Sequence, residues 1–190
     1  RRIPFDLPLP PSELQISDEN TYQWAEVASG FNRSTTISPL HAALMACTVL
    51  NDGAYPEPTI VEAITSADDK IIYHRPQVAM HRVIAADTSL VMRELMESTV
   101  SSGTARKMFR GHTRDPVLAA LSIGGKTGSI NNNTDESRYD WFVGYAQPKQ
   151  GGPGLAVAVV VLHHQYIGTR SGRYARTAFQ SYFENSVHGS

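Results

Sequence analysis

From Val117 onward the chain reads as three strands in succession. "VLAALSI" (Val117–Ile123), "YDWFVGYAQ" (Tyr139–Gln147) and "LAVAVVVLHH" (Leu155–His164) are rich in the β-branched and aromatic residues that suit a pleated surface. The last is the clearest of the three, because its valines follow one another so densely. The link "PKQGGPG" between the second and third has the residues of a tight connection. Strands joined by such short links form an antiparallel sheet, and the helical segments around them must cover it. The expected fold class is therefore α+β, an antiparallel sheet flanked by helices.

Helix signals lie on both sides of this block. In "ISPLHAALMACTVLNDG", Ser38 is a plausible N-cap, Pro39 suits the first helical position and Gly53 lies just beyond the end. Leu40, Ala43, Leu44, Cys47 and Leu50 then share one face. A second helix is expected from Asp87 or Thr88, with Leu90, Val91, Leu95 and Met96 as its apolar residues and Gly103 near its end. Tyr174, Ala178, Phe179 and Tyr182 predict an apolar face for a C-terminal helix. Between the first two helices, Tyr55 to Arg82 reads as short strands or irregular connections. The first 16 residues hold Pro4, Pro8, Pro10 and Pro11, which imply an extended entry rather than a helix.

Charge and composition exclude several classes. Seventeen Lys and Arg stand against 18 Asp and Glu, a formal net charge of −1 without a basic block, so nucleic acid is not an expected partner. The longest purely apolar run, Leu155–Leu162, is too short to cross a bilayer. "RRIPFDLPLPP" is too interrupted by proline to be a signal peptide, so a targeting segment or anchor is expected outside this sequence. Cys47 is the single cysteine, which leaves no internal disulfide and no cysteine-based metal cluster.

The chemistry gathers in "IGGKTGSINN" (Ile123–Asn132). A phosphate-binding loop needs G-x-x-x-x-G-K-[ST]; Gly125, Lys126 and Thr127 match, but Ala120 stands where the first glycine is required and no helix follows. An ATP-binding reading therefore fails at the residue its mechanism needs. The other reading is K-T-G followed by a hydroxyl residue at the end of a strand, a signature of penicillin-binding proteins and serine β-lactamases.

Longer stretches carry that resemblance. "GGKTGSINNNTDESRYDWFVGYA" resembles the hairpin of penicillin-binding transpeptidases in which K-T-G precedes a Trp-Phe-Val-Gly-Tyr strand. "ASGFNRSTTISPLHAALMACTVLNDGAYPEPTIV" resembles the family's Thr-Pro-Leu helix and the proline-containing strand after it. "VSSGTARKMF" resembles the helix region before the K-T-G strand. The resemblance runs in order over about residues 1–185, and it implies an incomplete transpeptidase/β-lactamase-like fold. It further implies that Lys126 places a cation beside the nucleophile and the substrate carboxylate. Thr127 and Ser129 would bind that carboxylate, and Gly128 would leave room for the acyl-donor peptide along the strand. The Ser129 N–H would form half of an oxyanion hole, so Lys126 and Ser129 are the expected catalytic residues.

Two motifs of the resembled family are missing. The lysines are Lys70, Lys107, Lys126 and Lys149, and Ala67, Thr104, Ile123 and Ala146 stand three places before them; none is the serine of S-x-x-K. Thr104-Ala-Arg-Lys107 has the spacing with threonine, but it falls in the helix region before K-T-G and is read as a coincidence. Ser129-Ile130-Asn131 fits S-x-N yet overlaps K-T-G, so it cannot form a separate wall. Residues 1–190 are thus expected to be the C-terminal portion of one transpeptidase domain, with the nucleophile upstream of residue 1. The implied partners are a peptidoglycan stem peptide, β-lactams and the N-terminal half of the same domain, on the extracytoplasmic face of the inner membrane. A β-lactam sensor or other non-catalytic relative is the alternative that shares these motifs. No cofactor is expected. His163-His164 lacks metal-ligand spacing and is assigned a structural or surface role. Tyr139, Trp141, Phe142 and Tyr145 are expected to pack within the sheet, and "TSADDK" to be a solvated turn.

Overall fold

The computed structural model describes residues 3–15, 20–30, 34–76, 79–132 and 134–188. Arg1 and Arg2 of the basic start, Phe31–Arg33 of the upstream resembling stretch, and Asn133 lie outside them. Three antiparallel strands form the centre: β5 (Leu121–Asn131), β6 (Arg138–Pro148) and β7 (Leu155–His163), in that order. Helices α2 (Pro39–Leu50) and α3 (Ala86–Ser101) lie on one face, and α4 (Ser171–His188) on the other. The α+β expectation is met. No helix among the described residues is long and apolar enough to cross a membrane.

Alternation along the strands builds two cores. Leu121 and Ile123 of β5, Phe142 and Ala146 of β6 and the half-buried Leu155, Val157 and Val159 of β7 meet Ala175, Phe179 and Phe183 of α4. Phe109, from the turns after α3, joins them with its ring 5.4 Å from Phe142. On the other face Tyr145 packs with Val49, Leu50 and Met96. The expected packing role of Phe142 and Tyr145 is realised. Trp141 is only half-buried and Tyr139 is exposed.

The first expected strand is displaced. Leu118–Ala120 form a 3-10 turn, held by Asp115 accepting from the N–H groups of Val117 and Leu118 at 3.1 and 3.0 Å. The strand begins at Leu121 and continues through the K-T-G residues to Asn131 rather than ending before them. Apolar content alone does not separate a buried turn from a strand.

Helix boundaries were legible, but helix faces were less so. Ser38 does cap α2, accepting from His41 N–H at 3.2 Å with Pro39 following. Its burial is broader than one stripe: Ala42, Ala46, Thr48 and Val49 are buried beside Leu44 and Leu50, and only Pro39 and Met45 are open. On α3 the expected apolar face is wrong except at Met96. Ser89, Met96 and Val100 are buried, whereas Leu90 and Leu95 are 57% and 60% exposed and Val91 is also open. The reason is polar. Ser89 Oγ and Arg93 Nε donate to the Val49 carbonyl at 2.7 and 2.9 Å, and Arg93 also donates to Leu50 O and Asp52. Unpaired carbonyls at the end of α2 thereby find donors, which turns that face of α3 inward. On α4 the buried row is Ala175, Phe179 and Phe183, so Tyr174, Ala178 and Tyr182 point outward. One residue of offset is a 100° rotation of the helix.

The remaining segments are short. Asn20 caps α1 (Thr21–Ser29), a helix absent from the sequence-based expectation. The stretch after α2 holds two small ladders, β1 (Ala54–Pro56) with β4 (Met80–Arg82), and β2 (Ala63–Thr65) with β3 (Ile71–His74). "TSADDK" makes the turn between β2 and β3, closed by Ser66 N–H to Lys70 O at 2.8 Å. Residues 3–15 of the entry segment form no helix, as expected; Glu13 and Thr36 exchange two backbone hydrogen bonds of 2.9 Å.

Glycine is required where β6 rings cross β5. A Cβ on Gly125 would sit 2.3 Å from Phe142 Cζ, and one on Gly124 2.6 Å from Tyr145 Cζ. Gly125→Ala is expected to cost about 1–3 kcal/mol through overpacking, because Phe142 has no free space to move into. Gly168→Ala, with nothing within 4 Å of the added carbon, should stay within about 0.5 kcal/mol of wild type. Denaturant unfolding of the two variants checks the contrast; equal effects would contradict it.

Candidate active site

Thr127 and Ser129 stand two residues apart on β5 and therefore share a face, with Gly128 between them. They continue the row that begins with Leu121, Ile123 and Gly125, but beyond the cover of α4. There the sheet opens into a cleft of about 450 Å³ lined by Gly103, Thr104, Arg106, Lys107, Thr127, Gly128, Ser129 and Arg170. Thr104 Oγ1 lies 2.6 Å from Thr127 Oγ1, a hydroxyl pair that joins the turns after α3 to the strand. A Cβ on Gly128 would meet Trp141 Cβ at 3.4 Å, an ordinary contact, so its contribution to the cleft is backbone.

Lys126 is placed differently. Alternation puts it on the α2/α3 face with Gly124 and not on the face of Thr127 and Ser129. It is exposed, and its Nζ donates to the Thr127 carbonyl at 2.9 Å. Among the described residues β5 is an outer strand of its sheet, with only β6 beside it. The motif thus offers an ammonium on one side of the strand and hydroxyls on the other. Gly125, Lys126 and Thr127 lie inside an extended strand, where successive N–H groups point in opposite directions. A phosphate-cradling loop needs them to converge, so the geometry disfavours the ATP-binding reading as well.

Ser129 is the register partner of Asp140 on β6. Asp140 is 2% exposed and is the most buried acid among the described residues. Its Oδ1 accepts from Arg170 Nη2 at 2.6 Å and its Oδ2 from Ser171 N–H at 2.7 Å, so one carboxylate ties β6 to the start of α4. Gly168 N–H donates to His163 Nδ1 at 3.3 Å, which leaves the ring proton on Nε2, 3.8 Å from Asp140 Oδ2. His164 instead meets Ser137 Oγ at 2.8 Å. Both histidines therefore serve structural contacts. Burial pushes the Asp140 carboxyl up, but the hydrogen bonds from Arg170 and Ser171 and the Arg170 charge together hold it below the ordinary value of 3.8. On the other face, burial pushes the Tyr145 phenol above its usual range, and Glu97 adds to the effect.

A model of the penicillin-binding protein transpeptidase domain matches residues 6–184. The chain belongs to the penicillin-binding protein transpeptidase family. It is 27% identical to a peptidoglycan D,D-transpeptidase PbpA of Mycolicibacterium smegmatis over 165 residues, 83% of this chain and 31% of that protein. It is 29% identical to penicillin-binding protein 1B of Buchnera aphidicola over 133 residues, 70% of this chain and 16% of that protein. The chain thus spans less than a third of the length of these relatives. In fold it is similar to penicillin-binding protein A of M. tuberculosis, solved as an imipenem acyl-enzyme complex. The TM-score is 0.69 at 19% identity, over 86% of this chain and 34% of that one.

Of the residues singled out by sequence, Thr127, Gly128 and Ser129 meet in the cleft, while Lys126 stands behind it. Thr104 and Lys107, by sequence only a coincidence of spacing, both line the same cleft as the motif. Arg106 and Arg170 gave no signal at all, since only the closed fold brings positions 106, 129 and 170 together.

The Asp140 interactions make a pH prediction. The folded state binds the Asp140 proton less readily than the unfolded chain, so the carboxylate contributes stability above the ordinary pKa and loses it as pH falls through the lower folded value. Asp140→Asn should therefore destabilise most above about pH 5, with the gap to wild type closing below about pH 4. Urea midpoints across this range test it; a gap that widens in acid would refute the assignment.

Proposed function

We propose that this chain is the C-terminal portion of a penicillin-binding D,D-transpeptidase domain and supplies the K-T-G wall of its acyl-transfer site. The observation that carries the reading is the outer strand β5, which presents Thr127 and Ser129 into one cleft and Lys126 on its other side. In this reading the terminal carboxylate of a peptidoglycan stem peptide lies against the Thr127 and Ser129 hydroxyls. The Ser129 N–H stabilises the oxyanion that develops when the nucleophile attacks. The same acylation with a β-lactam in place of the peptide gives a covalent adduct.

The nucleophile would come from chain upstream of residue 1, on S-x-x-K, with S-x-N as the middle motif. Lys126, on the other side of β5 from the bound carboxylate, would then face that missing wall as a cation that lowers the cost of charge on the nucleophile. Two features support a second half packed on this one. Leu90, Val91 and Leu95 form an open apolar face on α3, and β7, the other outer strand of its sheet among the described residues, leaves its four valines half-buried. The place of action is the extracytoplasmic face of the inner membrane, with the anchor outside these residues.

A fluorescent penicillin tests this. The 190-residue chain alone is expected to acquire no covalent label, whereas the longer protein that includes it is labelled. Lys126→Ala in that longer protein should slow acylation by about 10²- to 10³-fold. Label recovered on the isolated chain, or none on the longer protein, would overturn the reading.

A further inference from the structure

The cleft beside the motif is lined by three cationic side chains, Arg106, Lys107 and Arg170, and by no acidic one. A second opening of about 470 Å³ shares Lys107 and Arg170 with it and adds Arg173, again without an acid in its lining. Arg170 therefore stands, with Lys107, at the junction of the two, and the hydroxyls of Thr127 and Ser129 lie on its side of β5.

Its setting separates it from the neighbouring cations. Arg106 and Lys107 sit on exposed turns. Arg170 is held through Nη2 by the buried Asp140, whose other oxygen is occupied by the Ser171 N–H. Nε is buried and without a hydrogen-bond partner among the described residues, so it is closed to a ligand. The planar group is thereby oriented, and Nη1 and the second N–H of Nη2 are the donors left for a ligand. Because Asp140 opposes Ser129 across the β5–β6 ladder, the same register that presents the Ser129 hydroxyl also sets the guanidinium.

We propose that Arg170, oriented by Asp140, is a carboxylate-binding residue of this cleft, donating to the same substrate or β-lactam carboxylate as Thr127 and Ser129. Asp140 is its positioning residue. The proposal deepens the transpeptidase reading and rests on it. A guanidinium fixed on one side by a buried carboxylate recognises an anion by geometry as well as charge, which a flexible ammonium does not. The selectivity gained is for a free carboxylate over its neutral ester.

The test compares acylation of the longer protein by a penicillin and by the same penicillin with its carboxylate esterified. For wild type the acid is expected to react faster. Arg170→Ala should lower the acid rate by about tenfold to a hundredfold and leave the ester rate unchanged. Arg170→Lys should recover part of the acid rate. Asp140→Asn should reduce the acid-to-ester ratio in the same direction by less. If Arg170→Ala slows both probes equally, or neither, its assignment as a carboxylate receptor is overturned. If Asp140→Asn leaves the ratio at the wild-type value while Arg170→Ala changes it, the positioning role is overturned. If wild type reacts with neither probe, the transpeptidase reading itself fails and this proposal with it.

Discussion

The rings of Phe142 and Tyr145 lie across the backbone of the neighbouring strand, and that approach requires glycine on both sides of the ladder. Gly124 is opposite Tyr145 and Gly125 is opposite Gly144. A Cβ on Gly144 would come within 2.3 Å of the Gly124 carbonyl and 2.8 Å of the Phe142 ring. Glycines within strands ordinarily weaken them. Here they let two aromatic side chains close over β5, one toward α4 and one toward α2 and α3. Phe142 thereby reaches Phe109, which lies between it and Phe179 of α4. Phe109 belongs to the same turns that carry Thr104 and Lys107, so the packing that requires glycine also brings those residues to the motif. The two glycines before K-T-G thus set where the cleft lies.

The antiparallel sheet was legible because its strands are long, apolar and close in sequence. The K-T-G residues were legible as a motif, yet their disposition in space was not. A strand ending before Lys126 would leave the lysine, threonine and serine free to converge. A strand running through them alternates their faces and parts Lys126 from Thr127 and Ser129. The start of the strand was misplaced for a related reason: Val117–Ala120 are as apolar as a strand, and the Asp115 side chain that turns them into a 3-10 segment sends no periodic signal. Nor is the register that sets Asp140 against Ser129 marked by any residue in isolation.

Helix α3 shows where patterning fails on physical grounds. Hydrophobic spacing selects Leu90, Val91 and Leu95, yet the carbonyls at the end of α2 need donors more than the core needs those three residues. Ser89 and Arg93 supply them, and a rigid helix cannot turn both faces inward. An unpaired buried carbonyl costs about 1–3 kcal/mol, comparable to burying one leucine, about 1.5–3 kcal/mol, so polar satisfaction competes on equal terms. The leucines left outside are explained if another part of the same domain covers them. In the proposed reading, then, the sequence pattern of α3 is correct for the whole domain and misleading for this portion alone.

Asp140 makes a similar trade in the opposite direction. Moving a carboxylate out of water is unfavourable, and a buried ion pair rarely repays that cost in stability better than apolar residues would. The Ser171 N–H bond gives α4 a capping acceptor, which a neutral asparagine or serine side chain would also provide. The bond to Arg170 is different, since a neutral acceptor would hold a guanidinium less firmly and would not favour its charge. A buried carboxylate at this position is therefore better explained by what it orients than by what it stabilises. Its location, opposite Ser129 and behind an arginine shared by both openings, places that orientation at the wall where the proposed substrate carboxylate would bind.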